Sequence, residues 1–346
     1  AMLKGTHTAL ITPLHDDGSV DDGGLEKLVA FQVDQNITGV LAVGTTGESP
    51  SLSWDEHNQV VERVAGKTKG KCLCIAGTGS NNTREALEAT AHAARAGVDA
   101  VLLVDPYYNG PSSLEIRREY VEPVATAFPD LDVIPYVIPG RTGTQLLPED
   151  LGLLRQRFNN VSTVKEATGN LANMKRTRTC CGPAFMILSG DDGMTLEMMT
   201  DPDINAAGVI SVVSNVAPAA MTQMVELLAH KEHDAAAKLC HDLTPLFGLV
   251  TVKTTEETPF GDVTARFRNP VAIKALMAIL GLPSGGCRQP LGRMTRRGID
   301  FVIDTARRVQ AANPAILGPA AEFFNIDIDQ RLNDKSIPQE LIYNAY

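Results

Sequence analysis

The sequence is poor in the residue combinations that bind metals or form disulfide frameworks. It has six cysteines in 346 residues, and none forms a Cys-x-x-Cys pair or stands beside histidines with the spacing of a zinc site. These absences argue against a zinc enzyme and against a small disulfide-rich secreted protein. We predict a metal-free cytoplasmic protein with reduced thiols at Cys72, Cys74, Cys180, Cys181, Cys240 and Cys287.

Long hydrophobic runs and clusters of basic residues are also missing. No apolar run approaches the roughly 18–20 residues that a membrane helix requires. The first residues lack the basic and apolar regions of a signal peptide. The formal net charge is −10, which disfavours binding to nucleic acids and to anionic membranes. We therefore expect small-molecule partners, and neither a nucleic-acid nor a membrane partner.

The chain has instead a series of eight short apolar segments separated by helical patterns. Segments rich in valine, isoleucine and leucine are typical of parallel strands buried on both faces. Their alternation with helices predicts an α/β fold, a (β/α)8 TIM barrel. An open doubly wound sheet would need a glycine-rich phosphate loop after the first strand, where this chain reads ITPLHDDGSV. The segments are His7–Leu14, Gly39–Val43, Cys72–Ala76, Ala100–Val104, Val133–Ile138, Val161–Lys165, Phe185–Ser189 and Gly208–Val212.

The pattern changes after the eighth apolar segment. We predict a barrel catalytic domain over residues 1–213, a C-terminal helical region over 214–312 and an extension over 313–346. Within the helical region we expect no strands. The extension has mixed polarity and carries four aromatic residues, so it is expected to dock on the barrel or on a partner subunit. The predicted helices are Pro218–His230, His233–Phe247, Asn269–Leu280 and Gly298–Ala312.

Lys165 is the most informative single residue of the sequence. Active residues of such barrels lie at the carboxyl ends of the strands, and Lys165 ends the sixth apolar segment. Burial at that position would lower the pKa of the amine. A neutral amine can attack a ketone and form an imine. A lysine on the solvated surface is the alternative interpretation.

Two tyrosines and a threonine are candidates for proton transfer. Histidine, the usual proton carrier, follows the predicted strands only at His15 and His57, and both are expected on loops or helices. Hydroxyl groups can replace it. We predict Tyr136 as the proton donor and acceptor, with Thr46 and Tyr108 as its relay. Packing or a subunit interface is the alternative role of the adjacent tyrosines Tyr107 and Tyr108.

Other strand ends offer groups that could bind carboxylates. Gly44, Gly47 and Gly190 would allow close approach of the backbone. The side-chain hydroxyls and backbone amides of Thr45 and Thr46 could hold one carboxylate. Arg141, in a Pro-Gly-Arg-Thr-Gly turn, could clamp a second carboxylate, or could bond loop carbonyls as a structural residue. Two such sites suggest two acidic substrates or one diacid.

Six motifs together resemble a known family. They are GTTGES, DPYYN, Tyr136 with PGRTG, VKEATGN, SGDD and GVISVVSNVAP, in that order between Thr6 and Leu291. This set is similar to the dihydrodipicolinate synthase branch of the dihydrodipicolinate synthase/N-acetylneuraminate lyase superfamily. The resemblance implies a Schiff-base lyase that condenses pyruvate with aspartate semialdehyde, giving 4-hydroxy-tetrahydrodipicolinate in lysine and diaminopimelate biosynthesis. It implies no cofactor besides the covalent Schiff base on Lys165.

The resemblance also assigns roles to individual residues. Lys165 would form the Schiff base, and Tyr108 would reach across a dimer interface to complete the relay of Tyr136 and Thr46. Arg141 would bind the carboxylate of aspartate semialdehyde. The usual assembly is a homotetramer, a dimer of dimers. The pyruvate pocket would be formed by Thr45, Thr46, Gly190 and Ile210.

Feedback inhibition by lysine is a further implication of the resemblance. The segment SWDEH is similar to a version of the allosteric site that uses a tryptophan. The residues that match this site are Ser49, Trp54, His57, Asn81, Glu85 and Tyr107. The chain departs from the family pattern at Val137, where an asparagine is usual. We expect the Val137 side chain to point away from Tyr136.

Three alternatives remain open at this point. The first is another reaction of the superfamily: a 2-keto-3-deoxy sugar acid aldolase, a sialic-acid lyase or a hydroxyproline-pathway deaminase. The turn that contains Arg141 favours the synthase branch over the sialic-acid lyases. The second is a binding protein that kept the barrel, and the third a metal-dependent aldolase, for which the histidine cluster is missing.

Overall fold

The computed structural model describes residues 3–346 and contains the predicted barrel. Its strands are β1 (Gly5–Ala9), β2 (Gly39–Ala42), β3 (Leu73–Gly77), β4 (Ala100–Val104), β5 (Asp132–Val137), β6 (Thr163–Glu166), β7 (Met186–Ser189) and β8 (Gly208–Ser211). They run parallel in chain order, and β8 pairs with β1 to close the barrel. Residues 1 and 2, the start of the predicted barrel domain, lie outside the described residues.

Two hydrophobic clusters stabilise the barrel because successive side chains of a strand point to opposite faces. The inner cluster fills the barrel and includes Leu41, Ile75 and Ile134. The larger outer cluster lies between the strands and the helices. Tyr136 belongs to the inner cluster and Val137 to the outer one. The expectation that Val137 points away from Tyr136 is therefore confirmed.

Helices cover the outside of the barrel. They are α1 (Asp22–Asp34), α2 (Trp54–Thr68), α3 (Thr83–Ala96), α4 (Ser113–Glu115), α5 (Glu122–Ala127), α6 (Pro139–Thr142), α7 (Pro148–Arg157), α8 (Leu171–Cys181), α9 (Thr195–Thr200), α10 (Pro218–Ala229), α11 (His233–Phe247), α12 (Val271–Leu280), α13 (Arg296–Ala312), α14 (Gly318–Phe324) and α15 (Ile328–Asn333). Ser53 caps α2 in a capping box with Glu56, and α3 ends at Gly97 in the left-handed conformation. These caps fix where the helices begin and end.

The region after the barrel contains a β-hairpin that the sequence analysis did not predict. Strands β9 (Thr251–Thr258) and β10 (Gly261–Arg268) pair antiparallel between α11 and α12. The expectation of helices with no strands between them is therefore wrong. The segment alternates exposed and half-buried residues, which is the pattern of a strand with one face on the protein and one in solvent.

The C-terminal extension docks on the barrel. Rings of Phe323 and Phe324 in α14 lie 5.3 and 5.2 Å from the ring of Phe31 in α1. Arg331 donates hydrogen bonds to the carbonyls of Ala278 and Ile279 at the end of α12. These contacts tie the extension to both the barrel and the helical region. The domain boundaries at 213 and 312 stay predictions.

Two further observations concern the character of the chain. Within residues 3–346 no helix combines the length and the apolar character that crossing a membrane requires. The six cysteines are free; Cys74 is buried and the other five are half-buried.

Candidate active site

Lys165 lies in β6, and its side chain is enclosed by the barrel. The residue is only 5% exposed. The register of the barrel pairs Lys165 with Tyr136 on β5. The Lys165 Nζ lies 4.0 Å from the centroid of the Tyr136 ring. Strand pairing thus places an amine and a phenol side by side in a sheltered space.

Burial lowers the pKa of Lys165 to about 7, because the ammonium loses its hydration inside the barrel. Asp192 opposes this shift by attraction, and Arg141 adds to it by repulsion. Burial raises the pKa of Asp192 to about 6. Its Oδ2 accepts hydrogen bonds from the N–H groups of Val212 and Val213 at 3.0 and 2.9 Å. Much of Lys165 is therefore neutral near pH 7, the form that attacks a carbonyl carbon.

The Tyr136 phenol keeps its proton at neutral pH. Burial raises the pKa of Tyr136 to about 12, while the charge of Arg141 and a hydrogen bond with the Thr45 side chain act in the opposite direction. A protonated phenol can give a proton to a reacting oxygen and take it back. Tyr136 is therefore placed to move protons beside the Lys165 amine.

The two threonines that follow β2 have different surroundings. The half-buried Thr45 lines a cavity and hydrogen-bonds to Tyr136. The buried Thr46 instead accepts a hydrogen bond of 2.8 Å at its Oγ1 from Asn269 Nδ2. The relay role of Thr46 stays a prediction, and the hydrogen bond to Tyr136 makes Thr45 a second candidate for that role. The turn after Gly44 sends these adjacent side chains to different neighbours.

The two tyrosines that follow β4 also differ. Tyr107 is half-buried and lines the cavity. Tyr108 is 90% exposed and has a φ of 80°, in the left-handed region. Such a conformation is strained for a tyrosine, and strained residues concentrate at functional sites. One chain does not bring Tyr108 to Tyr136, so its relay role stays a prediction that requires a second subunit.

A cavity of about 220 Å³ lies at the mouth of the barrel, the end where the carboxyl ends of the strands meet. Its walls mix apolar side chains with a few polar groups, as ligand sites do. The lining residues with polar side chains are Thr45, Ser49, Tyr107, Tyr136, Arg141 and Thr142. The cavity suits a small molecule that reacts at the inner end of the barrel.

Arg141 is half-buried in this cavity and lacks a carboxylate partner among residues 3–346. Its Nη2 donates a hydrogen bond of 3.0 Å to the carbonyl of Asn269. Arg141 therefore also bonds a backbone carbonyl, as expected for a structural arginine. Burial and the charges of Arg268 and Arg266 lower the pKa of Arg141. A bound carboxylate would relieve this repulsion and satisfy the remaining donors.

The predicted glycines and Ile210 border the Lys165 side chain and its surroundings. A Cβ on Gly190 would lie 3.2 Å from the Cγ and Cε of Lys165, so a glycine leaves room for the amine to move. A Cβ on Gly47 would lie 2.9 Å from the Cα of Val43. Ile210 is buried in the same inner cluster as Tyr136. These positions shape the inner end of the site.

The structure adds a buried ion pair that the sequence analysis missed. Lys274 Nζ lies 2.7 Å from Glu48 Oε2, and both side chains are 1% exposed. The same nitrogen donates to the carbonyls of Thr12 and Gly286 at 2.9 and 2.8 Å. The Glu48 Oε1 accepts from the N–H of Arg288. The pair anchors the turn that carries Thr45, and a lysine inside the apolar run VAIKALMAIL was the signal that could have revealed it.

Replacing Lys274 with methionine should destabilise the protein by about 3–5 kcal/mol, since the Glu48 carboxylate would stay buried without its partner. Urea unfolding monitored by circular dichroism measures this change. Lys238, exposed on α11, gives the matched control: Lys238→Met should change the free energy of unfolding by less than about 0.5 kcal/mol. Equal stability of the two variants would show that the pair is not a structural anchor.

Of the six residues predicted to form the effector site, two line the same cavity. Ser49 and Tyr107 line it. The rings of Trp54 and His57 pack edge to face with centroids 4.8 Å apart. Burial raises the pKa of Tyr107, and the nearby charge of Glu85 raises it further. Asn81 is exposed just before α3.

No group of three or more His, Cys, Asp or Glu side chains in the described part of the chain is arranged to hold a metal ion.

Comparisons with known proteins show the family of the chain. Residues 2–306 match the model of the dihydrodipicolinate synthetase family. The chain is 37% identical over 294 residues to the 4-hydroxy-tetrahydrodipicolinate synthase of Methanococcus vannielii, which covers 85% of this chain and 94% of the relative. It is 38% identical over 307 residues to the enzyme of the same name from Alcanivorax borkumensis, covering 89% and 98%.

Solved structures give the same result. The 4-hydroxy-tetrahydrodipicolinate synthase of Methylacidiphilum fumariolicum SolV superposes with a TM-score of 0.82 at 33% identity, covering 92% of this chain and 99% of that one. The enzyme of Cyanidioschyzon merolae, solved with lysine bound, gives a TM-score of 0.80 at 33% identity, covering 90% and 98%. The fold, the buried amine and these likenesses lead to one conclusion: the chain belongs to the dihydrodipicolinate synthetase family.

Proposed function

We propose that this chain is a Schiff-base lyase that condenses pyruvate with aspartate semialdehyde to form 4-hydroxy-tetrahydrodipicolinate, in lysine and diaminopimelate biosynthesis. The observation that carries the proposal is the Lys165 amine, buried beside the Tyr136 ring with a pKa of about 7. Relatives that share 37–38% of the sequence over most of the chain carry the name of this activity.

The reaction follows from the reactivity of a neutral amine. Lys165 Nζ adds to the keto carbon of pyruvate, and loss of one water gives an imine. Loss of a methyl proton gives an enamine, whose carbon attacks the aldehyde carbon, and the new alkoxide takes up a proton. The amino group of the adduct then attacks the imine carbon and expels the lysine. Tyr136 and Thr45 lie where these protons move.

The substrates would be held by separate groups. The hydroxyl of Thr45 and the backbone amides around Thr46 are suited to the pyruvate carboxylate. Gly190 and Ile210 would line the pocket around the imine. Arg141 is suited to the carboxylate of aspartate semialdehyde because its fork can bind both oxygens. This arrangement separates the two acids and leaves the reacting carbons near Lys165.

Borohydride trapping tests the proposal at its first step. Incubation with pyruvate and sodium borohydride should add one reduced pyruvate to the peptide that contains Lys165, detected by mass spectrometry. A parallel assay compares aspartate semialdehyde with a panel of 2-keto-3-deoxy sugar acids. Turnover with the panel alone would replace the proposal with another reaction of the superfamily, and absence of the adduct would favour a binding protein.

Imine formation should depend on pH through Lys165. Its depressed pKa leaves the amine neutral above about pH 7, so the rate should be level there and fall about tenfold per pH unit below it. The rate of borohydride trapping with pyruvate measures this profile. Replacing Asp192 with asparagine removes the charge that raises the Lys165 pKa, so the break should move to lower pH. A flat profile across neutral pH would contradict the assignment of Lys165 as the reacting amine.

We also propose that the site is completed by a second copy of the chain, in a homotetramer built as a dimer of dimers. The exposed and strained Tyr108 supports this, because a partner would bury it. Mixing subunits tests the idea: Lys165→Ala subunits supply Tyr108, and Tyr108→Phe subunits supply Lys165. Co-expressed mixed dimers should regain activity that neither variant has alone, and no regain would place Tyr108 outside the partner's site.

Lysine inhibition is proposed for the cluster of Ser49, Trp54, His57, Asn81, Glu85 and Tyr107. The Glu85 carboxylate near Tyr107 is suited to an ammonium group, and a solved relative contains lysine. Activity at low pyruvate should fall with added lysine, and Glu85→Gln should weaken the effect. A rate independent of lysine would reject this regulation.

The free cysteines support a cytoplasmic location.

A further inference from the structure

On one face of the hairpin formed by β9 and β10, the basic residues lie at one end and the acidic residues at the other. The register pairs Lys253 with Arg266 directly across the two strands, and Arg268 follows Arg266 on the same face. These cations are exposed or half-buried, whereas Val252 and Phe267 of the opposite face contact the core. The end of the hairpin next to the barrel is therefore cationic on its solvent face.

The cationic end of the hairpin reaches the catalytic cavity. The residue after β10 is Asn269, whose carbonyl accepts from Arg141 Nη2 at 3.0 Å and whose amide donates to Thr46. Arg268 Nη1 lies 3.4 Å from the carbonyl of Gly140, the residue before Arg141. Arg141 thus contacts the backbone of the residue after Arg268, and Arg268 contacts the backbone of the residue before Arg141. Arg141 lines the cavity, and the Arg268 guanidinium lies beside the turn that carries Arg141.

The partners of these cations bear on what the opening could bind. Among residues 3–346, none of Arg141, Lys253, Arg266 and Arg268 forms an ion pair with a carboxylate. The acidic pair of the same face, Glu257 with Asp262, lies at the far end of the hairpin. Like charges directly across a sheet destabilise it. The charge of Arg268 also depresses the pKa of Arg141. Such an excess of positive charge favours an anion in the opening.

We propose that Arg268, supported by Arg266 and Lys253, is a specificity-determining residue that binds the carboxylate of the second substrate together with Arg141. The inference rests on the proposed function and deepens it. Two guanidinium groups can share the two oxygens of one carboxylate. The surrounding positive charge favours a substrate that presents a carboxylate at this point.

Substitution of Arg268 tests the proposal with the full-length enzyme. Arg268→Gln should raise the KM for aspartate semialdehyde about ten- to hundredfold, the range expected when a hydrogen bond to a charged group is lost. The KM for pyruvate and the rate of pyruvate trapping should stay within about twofold, since hydrogen bonds to pyruvate are unchanged. Arg268→Lys should recover part of the loss, because it restores charge without the fork. Arg308→Gln, an exposed arginine of α13, is the control for loss of one charge.

Succinate semialdehyde is the probe for binding of a carboxylate. It has a carboxylate and an aldehyde, but it lacks the amino group that closes the ring. It should inhibit competitively against aspartate semialdehyde, with an inhibition constant that rises with added salt and rises further in Arg266→Gln and Arg268→Gln. Unchanged KM and inhibition constants in both variants would overturn the inference while leaving the proposed function intact. Absence of wild-type turnover with aspartate semialdehyde would instead reject the proposed function.

Discussion

Replacing Lys165 with methionine is expected to abolish borohydride trapping by pyruvate and to reduce kcat/KM by about 10⁴-fold or more, as loss of a covalent nucleophile does in other enzymes. Methionine fills a similar volume without an amine, so the barrel should stay folded. Peptide mapping after trapping, together with steady-state assay of condensation, measures both effects.

A control separates loss of the nucleophile from loss of any lysine. Lys27 is exposed on α1, and Lys27→Met should keep wild-type trapping and activity. Thermal unfolding followed by circular dichroism should show a folded protein for both variants. A Lys165→Met protein that still gains a reduced pyruvate would show that another amine forms the imine.

Tyr136→Phe is expected to lower kcat by about 10²- to 10⁴-fold, the contribution of a positioned acid–base group. The phenol is buried, keeps its proton and hydrogen-bonds to Thr45, and none of the described residues that line its cavity is a histidine. Single-turnover measurement of imine formation and of condensation should show which proton transfers slow down.

Tyr120 provides the matched control, because it is also a buried tyrosine with satisfied hydrogen bonds. Its hydroxyl donates to the carbonyl of Val104 at 2.7 Å and accepts from the N–H of Ser80 at 3.1 Å. Tyr120→Phe should lose stability and keep kcat. Equal kcat in Tyr136→Phe and the wild type would remove the phenol from the mechanism.

The barrel was predictable from sequence because its signal is local. A strand buried on both faces reads as a short apolar run, and eight such runs with helices between them leave few alternatives. The positions of Lys165 and Tyr136 followed from this, since both stand at the carboxyl ends of their strands. Their approach to 4.0 Å follows from the strand register.

The hairpin was missed because its segment is mostly polar and lies between long helices. Only Val252 of its strands is fully buried, so the segment contains no apolar run from which a strand could be predicted. Its signals were weak ones: threonine and valine in alternation, and the turn at Pro259-Phe260-Gly261. The position of Arg268 beside Arg141 depends on this hairpin and could not be inferred without it.

The sequence by itself determined the barrel, the lysine proposed to form the imine and the tyrosine beside it, because strand periodicity places side chains without knowledge of distant contacts. The tertiary structure decided which of two adjacent threonines hydrogen-bonds to the phenol. Asn269, far along the chain, binds Thr46 and leaves Thr45 to Tyr136. It also decided the partners of Glu48 and Arg141, since both contact residues that only the fold brings near.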